Sequence, residues 1–134
     1  MHIDRLQADG LHPTPGYHHV TVAEAGRTAY LAGQCPLDES GTVVGPDDLM
    51  AQTDQVAANA LAALSAAGAT PGDVVRSVIY VASSDRADLS AVWQRLNAGP
   101  IAQAFTTAST LLGVVALGFP GQLVEVDLTA ALAD

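Results

Sequence analysis

Lysine is absent from this chain of 134 residues, cysteine occurs once, and only six side chains are aromatic. Each shortage removes a class of chemistry. Without lysine, no Schiff base can form between the protein and a carbonyl substrate. A single cysteine, Cys35, cannot make an intrachain disulfide and suits a reducing compartment. With so few aromatics, alanine, valine and leucine must fill the core.

Positive charge is scarce too. The five cations are Arg5, Arg27, Arg76, Arg86 and Arg95, set against 14 acids, for a formal net charge of −9. Nucleic-acid binding draws on clustered cations that neutralise phosphates, so no nucleic-acid partner is expected. From Leu96 to Val124 there are 29 residues without a charged side chain, yet the longest apolar run, LLGVVALGF, is nine residues. A membrane span needs ~20, and the polar start MHIDRLQADG does not read as a signal peptide. A soluble, cytoplasmic protein with no membrane partner is expected.

Familiar site motifs are also missing. HExxH and CxxC do not occur, and adjacent strand residues such as His18 and His19 point to opposite faces, so they cannot chelate one ion. One of the two could still face a pocket as an acid or base. No metal is expected. No GxGxxG or phosphate loop occurs, so no cofactor is expected either. Cys35, in GQCPL, has no basic neighbour in sequence to lower its pKa and reads as a small buried thiol.

What is present describes one compact domain over residues 1–134, with 1–16 expected to be a loosely ordered N-terminal segment. The apolar share is 49% and the charged share 14%, a globular composition. Leu49, Thr53, Val56, Ala60 and Leu64 recur at helical spacing and predict a helix over 47–67, started by Pro46-Asp47-Asp48 and stopped by Gly68 and Pro71. Leu89, Val92, Trp93 and Leu96 predict a second over 85–97, capped by Ser84 or Asp85.

The β-branched stretch VVRSVIYV (74–81) predicts a central strand. Residues 17–33 read as two strands around a turn at 24–26. A second such pair, 109–117 and 121–132, surrounds the turn at 118–121. The order β-β-α-β-α-β-β, with room for a short strand before residue 10, implies an α+β domain: one mixed sheet with two helices on one face. In GQLVEVDLTAAL, alternation sends Val124, Val126 and Leu128 toward the helices and Glu125 and Asp127 to the open face. A half-apolar open face suggests self-association through it. An unpaired carboxylate buried there costs several kcal/mol. Glu125 is therefore expected to be solvated, paired or kept for chemistry.

Four segments, AGQCPL (32–37), LMAQTDQVAANALAALSAAGA (49–69), GDVVRSVIYV (72–81) and GQLVEVDLTAAL (121–132), together resemble the RidA/YjgF family from about Tyr17 to Leu132. The resemblance implies a chorismate-mutase-like α+β fold and a homotrimer with pockets between subunits. It also implies hydrolysis of reactive imines and enamines, such as 2-aminoacrylate, to keto acids and ammonia. In that family an arginine opens the penultimate strand in a motif like ARSTVEV and clamps the substrate carboxylate. A glutamate on the last strand, with a backbone carbonyl, positions water.

Laid over this chain, the motif puts Ser109 and Thr110 on its serine and threonine and Glu125 on its glutamate, but Ala108 on its arginine. No arginine or lysine follows Arg95, so no nearby replacement is expected, and the chain is assigned to arginine-lacking branches of the family. That argues against the usual 2-imino-acid deaminase activity.

The expected pocket contains Tyr17, Ala32, Gly33, Ser109, Thr110 and Glu125 around Ala108, with Trp93 or Leu89 at its rim. Backbone groups near Gly33 and Thr110 would orient the reacting atoms. Its substrate would be a small neutral or cationic imine, enamine or carbonyl metabolite, with Glu125 as general acid/base. The alternatives are a non-catalytic trimer that binds a metabolite or a protein and, more weakly, an endoribonuclease-like activity.

Overall fold

A computed structural model describes residues 2–133. Strands β1 (Ile3–Leu6) and β2 (Val20–Ala23) form a two-stranded antiparallel sheet. Strands β3 (Thr28–Tyr30), β4 (Val74–Val81), β5 (Ala108–Gly113) and β6 (Val124–Ala131) form a second, in the order β3-β6-β4-β5. Helices α1 (Leu49–Ala66) and α2 (Arg86–Asn97) complete the α+β domain. Among the described residues, no helix is long and apolar enough to cross a membrane.

Both helices begin and end where their local chemistry directs. Asp48 accepts a hydrogen bond from Ala51 N at 3.0 Å and caps α1. Gly68 (φ 77°) stops it, with Ala69 N returning to Leu64 O at 2.9 Å and Gly68 N to Ser65 O at 3.0 Å, a glycine-terminated Schellman stop. Asp85 caps α2 through Ala87 N at 2.9 Å.

Strand pairing departs from the sequence expectation. The two stretches read as adjacent strand pairs are each divided between partners. β2 joins β1, whereas β3 joins β6. β5 lies parallel to β4, and β6 lies antiparallel on the other side of β4. The reason is the crossover: β4-α2-β5 is a parallel unit, and β4, the longest apolar strand with β6, takes the centre. The short strand allowed before residue 10 is present as β1, inside the segment 1–16 expected to be loose. Arg5 Nη2 ties it to Gly72 O and Val74 O, at 2.9 and 3.1 Å.

One face of the larger sheet is the core. Val74, Ile79, Val81, Val124, Val126 and Leu128 are fully buried there with Val56, Leu64, Val92 and Phe105. At about 25 cal/mol per Å2 of apolar surface removed from water, each such side chain contributes roughly 1.5–3 kcal/mol. Alternation sends the intervening strand residues, among them Arg76, Val78, Tyr80, Glu125, Asp127 and Thr129, to the open face.

Candidate active site

Register arranges the open face in rows. One row runs Tyr30, Thr129, Arg76, Ala108 across β3, β6, β4 and β5, and His18 continues it through a parallel bridge to Ala108. The next holds Asp127, Val78 and Thr110, and a third holds Glu125, Tyr80 and Leu112. Directly paired strand residues share a face. The face thus has a polar row at one end and a carboxylate with two apolar neighbours at the other.

Glu125 is half-buried. Its Oε1 accepts from Gln122 Nε2 at 3.0 Å and from the Cys35 thiol at 3.3 Å. Gln122 is itself buried and fully used: its Nε2 also donates to Val124 O at 3.1 Å, and its Oε1 accepts from Phe119 N at 3.1 Å. Gly33 is brought alongside by the bridge between Gln34 and Val126, with Gln34 N to Val126 O at 2.7 Å. A Cβ on Gly33 would stand 2.1 Å from Glu125 Oε2. Only glycine leaves room for that oxygen.

One carboxylate oxygen is thus fixed by donors, and the other rests on the Gly33 backbone. Gly33 and Cys35 also line an open groove of about 790 Å3, with Asp38, Glu39, Asn59 and Phe119. Asn59 braces its wall by donating to Cys35 O and Leu37 O, both at 2.9 Å. The groove side carries acids and no cation among these residues.

Cys35 is no nucleophile at neutral pH. Burial, and then its hydrogen bond to Glu125, push the thiol up to about 11. It stays protonated and donates to Glu125, and it is half-buried where the sequence reading expected a buried thiol.

The other expected site residues lie elsewhere in the chain. Ala32 is exposed, and its carbonyl accepts from Gln34 Nε2 at 2.9 Å. Tyr17 packs edge-on against Trp93, with ring centroids 6.1 Å apart, and Trp93 in turn against Phe105 at 6.0 Å. Tyr17 and Trp93 line a separate groove of about 320 Å3 with Pro15, Ser90 and Leu111. Trp93 therefore does not rim the Glu125 groove within one chain. Its indole is held on the α2 side by Phe105.

Ser109 is corrected as well. Strand alternation turns it to the helix side, where its hydroxyl meets that of Ser77 at 2.5 Å and donates to Thr107 O at 3.1 Å. Thr110 faces the opposite way, onto the open face.

A cation does stand near Ala108, although none follows Arg95 in the sequence. Parallel pairing of β4 with β5 sets Arg76 directly beside Ala108, and Arg76 Nη2 donates to Thr110 Oγ1 at 2.8 Å. His18 flanks Ala108 on the other side, its Nδ1 hydrogen-bonded to Thr106 O. His19 turns away toward the N-terminal segment, accepting from Ala8 N at 3.0 Å. Among the described residues, no three His, Cys, Asp or Glu side chains converge as metal ligands.

Sequence reasoning missed Gln122, Asn59 and Arg76 as parts of the site. The first two carried a faint signal, as polar side chains next to apolar runs.

Known proteins share this architecture. A conserved Rid-family protein, YyfB of Yersinia pestis, is 37% identical and superposes with a TM-score of 0.88 over 98% of this chain and 100% of its own. RidA of the Antarctic bacterium Psychrobacter sp. PAMC 21119 is 27% identical, with a TM-score of 0.63 over 96% of this chain and 99% of its own. Protein DfrA of Myxococcus xanthus is 33% identical over 97 residues, 71% of this chain and 74% of that protein. The family profile described as "Endoribonuclease L-PSP" matches residues 8–132. With its two helices and mixed sheet, the chain belongs to the Rid/YjgF family of chorismate-mutase-like fold.

Proposed function

We propose that this protein is a homotrimer that hydrolyses a small imine, enamine or related carbonyl compound in pockets shared between copies, with Glu125 as general acid/base. The observation that carries the reading is the Glu125 carboxylate, one oxygen held by Gln122 and Cys35 and the other laid against Gly33 beside an open groove. In the proposed hydrolysis, water adds to the C=N carbon while Glu125 takes one of its protons and passes it to the nitrogen, giving a carbinolamine. Glu125 then moves the hydroxyl proton to the nitrogen as the C–N bond breaks, so imine and water become carbonyl compound and ammonia.

The spacing of the site supports shared pockets. Glu125 pairs with Tyr80, four residues along β4 from Arg76 and two strands from Ala108. At about 3.3 Å per residue and 4.8 Å per strand, Glu125 and Ala108 are about 16 Å apart. A small metabolite reaches both kinds of group only where a second copy brings its polar row beside Glu125. Val78, Tyr80 and Leu112 on the open face, and the exposed Val20, Val22 and Phe119, supply apolar surface for such packing. The family profile's description names RNA cleavage. Carboxylates on the open face and a net charge of −9 weigh against an RNA strand there.

The test is turnover of 2-aminoacrylate and a panel of uncharged imines, followed as ammonia release. Glu125→Gln is expected to lower turnover by on the order of 10²-fold or more. Unchanged turnover would remove Glu125 from the chemistry. A native mass of one chain, 13.6 kDa, instead of about three times that, would remove the shared pocket.

A further inference from the structure

Residues 7–19 join β1 to β2 without a helix or a strand of their own. An irregular connection of this length is uncommon in a small domain and tends to carry function. A few polar contacts close it. Gln7 Nε2 donates to Thr14 Oγ1 at 2.9 Å and to Tyr17 O at 3.1 Å, and the His12 ring meets the Tyr17 hydroxyl at 3.4 Å. At its end, His19 Nδ1 accepts the Ala8 N–H at 3.0 Å. The connection also shapes a cavity: Pro15 and Tyr17 form one wall of the groove of about 320 Å3, opposite Ser90, Trp93 and Leu111.

His19 can hold Ala8 in one protonation state only. Nδ1 accepts, so the ring proton sits on Nε2, and that N–H is buried with no acceptor among the described residues. A second proton would go to Nδ1 and face the Ala8 N–H donor to donor, which ends the hydrogen bond. The neighbouring groups give that charge no partner. Antiparallel register sets Arg5 opposite Thr21, on the face of the β1–β2 ribbon that also carries His19. The His12 ring stands edge-on to His19, with centroids 5.3 Å apart. Asp9, next to Ala8, is exposed to solvent. Residues 106–108, against which β2 is held through His18 and Thr21, belong to the charge-free run.

We propose that His19 is a proton-operated latch: with Nδ1 free of a proton it holds the β1–β2 connection shut, and a proton there releases the connection and opens the groove beside Trp93. Closure and protonation exclude each other, so acid favours the open form. Once the released imidazole is protonated, the ratio of open to closed rises about tenfold for each further pH unit of acidification. The latch draws on neither Glu125 nor the hydrolytic reading. The groove that it governs shares no lining residue with the one beside Glu125.

The test follows hydrogen exchange of the Ala8 amide in the native protein from about pH 8 to about pH 5 at fixed salt, a range that spans imidazole protonation. Protection, taken relative to the unfolded chain at each pH, is expected to fall by about tenfold per pH unit at the acid end. The emission of Trp93, the only tryptophan, should move to the red as the connection opens. In His19→Asn a side-chain oxygen can accept the Ala8 N–H but takes up no proton in this range, so its protection should stay level. His12→Gln should keep the native fall. Should His19→Asn not fold, the native protein decides by NMR, where the His19 ring and Ala8 amide resonances are expected to shift with one midpoint. Native protection that is level with pH, a fall that survives His19→Asn or vanishes in His12→Gln, or two separate midpoints overturns the proposal.

Discussion

The two ends of the open sheet face hold their charges in different ways. At the Glu125 end, the carboxylate is fixed by a buried glutamine whose amide is fully hydrogen-bonded, by a thiol, and by a glycine that yields it space. At the Ala108 end, the guanidinium of Arg76 is exposed and tied by a single threonine hydroxyl. A proton-transfer group gains from a fixed position, because a small displacement costs much of the rate. A charge held by one hydroxyl retains more motion. The difference teaches that the fold spends its buried hydrogen bonds on placing the carboxylate, and substitutions at the Glu125 end should act on rate more than on binding.

The largest expected effect that sharpens this contrast comes from Gly33→Ala. The new methyl would stand 2.1 Å from Glu125 Oε2 and 2.9 Å from its Cδ. These are the end of a side chain, so the carboxylate moves and the backbone stays. Turnover is expected to fall by about 10²-fold, with the melting temperature nearly unchanged. Native kcat in the Gly33→Ala variant would show that the position of the carboxylate does not matter.

A smaller effect is expected from Gln122→Leu. The change leaves Phe119 N and Val124 O without their side-chain partner and frees Glu125 Oε1. Stranding buried polar groups costs about 1–3 kcal/mol, measurable by urea denaturation. Unlike Gly33→Ala, this variant should lose stability and rate together. If only stability fell, Gln122 would support the 118–123 turn without positioning the carboxylate.

How much of this was legible in the sequence depends on the distance over which each feature is decided. Helix ends are decided within a few residues: Asp48, Asp85 and Gly68 stand where capping chemistry placed them. The alternation of Glu125 and Asp127 against Val124, Val126 and Leu128 was readable because one strand carries it. Strand partners were not. The β4-α2-β5 crossover parts 109–117 from 121–132 and inserts β4 between them, and no local pattern records that choice. The neighbourhood of Ala108 was misread for the same reason. Looking along the chain found no cation after Arg95, but the one beside Ala108, Arg76, comes from a strand that only register places there. Ser109 was a simpler miss. Alternation alone separates it from Thr110, and the motif resemblance had grouped them.

The smallest effect concerns the thiol under Glu125 and is read through pH. Cys35 titrates at about 11, above the ordinary value of 9.0, chiefly because it is buried and then because it donates to Glu125. Between those values the unfolded chain releases the thiol proton while the folded chain keeps it. The contribution to stability is therefore fully present below pH 9 and is lost as pH rises toward 11. Alkylation by iodoacetamide should follow the same group from the kinetic side. At pH 8 the folded protein should react far more slowly than the urea-unfolded chain, with the folded rate climbing only as pH approaches 11. In Glu125→Gln the carboxylate's charge is removed, so the thiol should titrate lower and react sooner. An Arg76→Gln variant should match the native profile, because Arg76 lies at the far end of the face. A shift in that variant would couple the two ends and break the division between them.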